Sequence, residues 1–136
     1  MYHANPLVQD FIDLAFDSNS DLTSPDSTAI LHILDLLPLR DEVLALAIGD
    51  SDEAFQLAQF IDRYAVEADE NHRANPAIMA SIINYVNGNE DRAKMFFFVC
   101  MLADESNTLA NLFQRIVEAG VSRNEIKQLI GQAVNP

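Results

Sequence analysis

At 136 residues, with 49 % apolar and 21 % charged side chains and only four glycines and five prolines, the chain has the make-up of one folded domain; collagenous, low-complexity and disordered classes are excluded. The formal net charge of −13 belongs to the first half: up to Glu70 fifteen acids face two bases, Arg40 and Arg63, while from Asn71 onward six acids balance six bases. Such a field repels nucleic acid and anionic membrane and speeds encounter with a basic protein surface.

Helical signals recur in chain order, and alternating strand signals do not. Asn5-Pro6 reads as a cap followed by Pro at the first helical position, with Leu7, Phe11, Leu14 and Ala15 at helical spacing up to Asp17. The polar stretch from Ser18 to Ser24 is a loop, and Ser24-Pro25 repeats the cap signal before Ile30, Leu31, Leu34 and Leu37. Pro38 is expected to break or kink the chain, with a third helix running from Leu39 to Ile48 and closed by Gly49. Asp50 or Ser51 caps a fourth, amphipathic helix through Phe55, Ala58, Ile61, Tyr64 and Ala65. Asn75-Pro76 starts a fifth that ends at Gly88, a sixth runs from about Glu90 to Asp104, and Ser106 caps a seventh that ends at Gly120. Ser122 to Glu125 fits the capping-box pattern for an eighth. The expected fold is all-α: one domain over residues 1–136, two leading helices over 1–37 and then, over 38–136, a compact or slightly curved stack of antiparallel helix pairs.

No apolar run approaches the roughly 18 residues that span a bilayer, and the first residues carry Asp10, Asp13 and Asp17 where a signal peptide would be basic and then apolar. The chain therefore reads as cytoplasmic. Its single cysteine, Cys100, lies in the apolar string Met95 to Leu102 and reads as a buried, inert thiol. In the same string Phe96, Phe97 and Phe98 point about 100° apart on a helix; either the helix is surrounded, or one ring faces an interface, a homodimer among them.

From Leu39 to Ile130 the order of signals resembles the C-terminal helical portion of a family of uncharacterised actinobacterial proteins. The resemblance is carried by Leu39-Arg40-Asp41 with Leu44, Tyr85 with Gly88-Asn89 and Arg92-Ala93, Ala103-Asp104, and Leu109-Ala110-x-Leu112 leading to Ala119-Gly120-Val121. Members usually carry an α/β segment before these helices, where this chain has two predicted helices, and Ser122 stands where a proline is expected. The resemblance implies a helical fold and a bacterial or phage origin, and it implies no chemistry.

Catalytic and metal-binding patterns are missing from the sequence. His3, His32 and His72 are far apart, none at ligand spacing with a second donor, and each reads as a solvated or satisfied histidine. Asp50-x-Asp52 lacks the glycine and glutamate of a calcium loop, since Phe55 and Ile61 stand at those places. No glycine-rich phosphate loop and no basic patch interleaved with aromatics is present. No cofactor and no metal is expected, and an enzyme built on paired carboxylates is the weakest of three readings.

What remains is carboxylate. Asp10, Asp13 and Asp17 form a stripe at helical spacing; Asp50, Asp52 and Glu53 form a second group; Glu67, Asp69 and Glu70 form a third, with Asp62 between. The leading expectation is a non-enzymatic interaction module whose acidic half docks a basic surface of a partner protein. The alternative is a phage or mobile-element mimic of DNA, of the anti-CRISPR or anti-restriction type, that occupies the nucleic-acid groove of a host defence enzyme, its carboxylates standing in for phosphates.

Overall fold

Side-chain caps open five of the eight α-helices in the computed structural model, which describes residues 4–17 and 19–132. Asn5 Oδ1 accepts from the Leu7 amide at the start of α1 (Pro6–Phe16), and Ser24 Oγ from Ser27 at α2 (Pro25–Leu31). A 3₁₀ turn, His32–Asp35, leads into α3 (Leu37–Ala47), and Ser51 rather than Asp50 caps α4 (Asp52–Glu67). A second 3₁₀ turn, Glu70–His72, precedes α5 (Ala74–Val86); α6 (Glu90–Ala103), α7 (Thr108–Glu118) and α8 (Arg123–Gly131) follow. The described residues form an all-helical fold, and none of its helices is long and apolar enough to cross a membrane.

Three boundaries differ from the sequence expectation for physical reasons. The break expected at Pro38 falls at Leu36, whose backbone is extended (φ −94°, ψ 108°), and Pro38 lies inside the first turn of α3. Proline is tolerated there because the first amides of a helix have no intrahelical acceptor and no preceding turn exists for its ring to strike. At α5 the Asn75 side chain does not cap: its Oδ1 accepts from Arg40 Nη1 at 3.1 Å and from Asn107 Nδ2 at 3.1 Å. At α7 the cap is Asn107, whose Oδ1 accepts from Ala110 at 2.9 Å, while the Ser106 hydroxyl turns back to Asp104.

The core forms around α5, in which every residue from Pro76 to Asn84 is buried. It packs on α4 before it and most closely on α6 after it, the chain reversing at Gly88, and it also touches α3, α7 and α8. Helix α1 lies on the other side of α4, its Phe11 ring edge-on to Phe60 at 5.6 Å. Both rings are buried, so truncating either to Ala removes about 3–5 kcal/mol. The Phe96 to Phe98 run divides accordingly: Phe96 is buried, Phe97 is half-buried, and Phe98 is exposed on an α6 that is not surrounded.

Candidate functional site

The two ends of α4 separate the acidic groups that the sequence places in one half. Asp52 and Glu53 occupy its first turn, where the helix dipole favours them, and Glu67 closes its last, about 22 Å away at 1.5 Å per residue. Near the first end, Asp50 pairs with Lys127 of α8. On α1, Asp10 and Asp13 share the exposed face, and Asp13 accepts from Gln9 at 2.9 Å. Asp17 leaves the helix with an extended backbone and accepts from the Asn19 amide, so the stripe is helical over two members only. Asp62, on the α4 face toward α6, accepts from Asn84 at 3.1 Å and pairs with Arg92 at 3.1 Å. Burial pushes its carboxyl above the usual aspartate value, against the opposing pull of Arg92 and Asn84.

At the other end of α4, groups far apart in sequence meet. Asp35, from the 3₁₀ turn after α2, lies with its Oδ2 2.6 Å from His72 Nδ1, so that nitrogen carries the proton and donates. The His72 ring stacks on His32, centroids 3.6 Å apart and 16° from parallel. On one side of this pair Thr23 and Thr28 face Glu67 and Asp69 across a groove of about 190 Å³. On the other, Asp35, Glu70, His72, Asn75 and Asp104 line a cleft of about 390 Å³. Thus Glu67, Asp69 and Glu70 share one end of the molecule with Asp35 and Asp104.

Two buried groups report the same convergence. Burial pushes the Tyr64 hydroxyl up to about 12, and the charges of Asp35 and Asp69 add to the shift. Burial pushes the Cys100 thiol up to about 11, Asp104 adds to it and Arg40 opposes it, as expected of an inert thiol. The cations beneath this end are held unequally, and the buried Nε of Arg73 has no hydrogen-bond partner among the described residues. Arg40 is 5 % exposed and holds Asp41 at 2.9 Å and Asn75, and Arg73 Nη2 donates to the Ala68 carbonyl that ends α4. The cleft therefore presents acceptors outward: carboxylates of Asp35, Glu70 and Asp104 around an imidazole already hydrogen-bonded to one of them.

Sequence reasoning does not single out His32, His72, Asp35 and Asp104 as site residues, because Asp35 and His72 lie 37 positions apart, Asp104 is more distant still from Asp35, and no local spacing records their meeting. His3 lies outside the described residues. Among the described residues no group of three His, Cys, Asp or Glu side chains is arranged to hold a metal ion.

A family model described as a domain of unknown function, DUF4192, matches residues 7–123. The chain belongs to the DUF4192 family. The DUF4192 match begins at Leu7, well before the Leu39 start of the resemblance in the sequence, so α1 and α2 belong to the family unit together with α3 to α7. Asp35, His72 and Asp104 all lie within the matched span. No curated protein and no solved structure matches the chain.

Proposed function

We propose that this chain is a non-enzymatic protein-interaction module that docks a basic surface of a partner protein through the acidic end where the α2–α3 turn, the α4–α5 turn and the α6–α7 turn meet. The observation that carries the proposal is the cleft of Asp35, Glu70 and Asp104, with the nearby Arg40 paired to Asp41 and the Arg73 Nη2 turned to the Ala68 carbonyl. A lysine or arginine side chain entering it meets carboxylates without displacing a resident cation. Asp69 extends the negative surface beyond the stacked histidines, and Glu67 beside it is paired with Arg63 at 3.4 Å. The Asp35–His72 pair has the geometry that orients a catalytic imidazole, yet the cleft lining holds no hydroxyl or thiol for it to activate, and His32 covers one ring face. Imitation of duplex DNA calls for a longer regular row of carboxylates than Asp10 and Asp13 supply. A cytoplasmic location accords with a lone, buried thiol.

Fluorescence anisotropy with a labelled decalysine peptide tests the assignment. Binding is expected at low salt, weakening steeply at moderate salt. Glu70→Gln with Asp104→Asn should lower affinity several-fold, while Asp10→Asn with Asp13→Asn should leave it nearly unchanged. The reverse ranking overturns the proposal.

A further inference from the structure

The outer face of α6 carries a stripe of exposed apolar side chains. Met95, Phe98 and Leu102 are 45 %, 63 % and 70 % exposed, and at 100° per residue they fall within an arc of about 60°, turned away from buried Ala93, Phe96 and Cys100. A helix apolar on both faces belongs in an interior, but α6 packs on α5 and, more narrowly, on α7. The uncovered stripe is thus half of an interface rather than scattered surface apolarity.

From this geometry we infer that the α6 stripe pairs with the same stripe of a second copy, antiparallel, about a two-fold axis at Phe98. Charge selects a second copy. The −13 lies in the first half, and the half carrying α6 is balanced, so two chains can meet through α6 while most of their acids stay apart. The borders of the stripe are self-complementary as well. Lys94, one helical turn before Phe98, has no ion-pair partner among the described residues, and exposed Glu105 follows Leu102 beyond the negative end of the helix. Antiparallel pairing sets Met95 against Leu102 of the second copy and carries Lys94 toward Glu105 of the second copy. An isologous contact makes this exchange twice.

Sedimentation equilibrium of the full chain reads the result. The weight-average mass should rise from the 15.1 kDa of one chain toward twice that value over micromolar concentrations. Phe98→Asp should hold it at one chain with an unchanged helical circular dichroism spectrum, because the ring is exposed in the fold. Lys94→Glu should weaken association, and adding Glu105→Lys should restore it. A wild-type mass of one chain throughout, a dimer that survives Phe98→Asp, or a double variant no better than Lys94→Glu alone overturns the inference.

Discussion

Asn75 ties three parts of the chain together with one oxygen, accepting from Arg40 of α3 and from Asn107 at the cap of α7. Its replacement by alanine leaves a buried guanidinium with Asp41 alone and removes a partner of Asn107, and the loss is expected to be about 2–3 kcal/mol in urea denaturation. A change below about 0.5 kcal/mol would show that water replaces the amide without cost. Asp62 behaves differently because burial raises its carboxyl above the unfolded value. A raised folded value means that the group adds stability below its unfolded value and withdraws it as pH climbs through the folded one. Carboxyl NMR titration should place Asp62 above an ordinary aspartate, and Arg92→Ala should move it higher still by removing the favourable cation; a downward move would contradict the cause assigned.

At the scale of elements, the glycines separate into two kinds. Gly120 holds φ +82° where α7 turns toward α8, a conformation that costs an L-residue about 1–2 kcal/mol, so Gly120→Ala should destabilise by that amount. Gly131 sits in α8 with open space where a Cβ would be, and Gly131→Ala should be neutral or stabilising by about 0.5 kcal/mol. Thermal unfolding of the two variants, which should shift in opposite senses or nearly so, checks the assignment. Four of the eight α-helix starts are legible because a Ser or Asn cap and a following Pro or acid act within four residues. The start of α3 lies two positions before the one Pro38 suggests, since proline fits the first turn of a helix as readily as it ends one. The bond between Asn75 and Asn107 is not legible in the sequence, because it spans 32 positions and leaves no local pattern.

For the molecule as a whole, the sequence shows how much acid there is and in which half, and only the packing shows how it divides. Asp50 and Asp62 hold cations from the second half, and Asp52 and Glu53 stand a helix length from Glu67. What gathers at one end does so because the turns after α2, α4 and α6 all close there, bringing Asp35, Glu70 and Asp104 around a histidine pair that sequence spacing gave no reason to join. The proposed docking function depends on that gathering rather than on the total of −13. Backbone amide NMR of the labelled chain, titrated with decalysine at low salt, locates the contact. Shifts confined to Asp35, Glu67 to Arg73 and Asp104 are expected; shifts of equal size along α1 and the first turn of α4 would contradict a single acidic docking end.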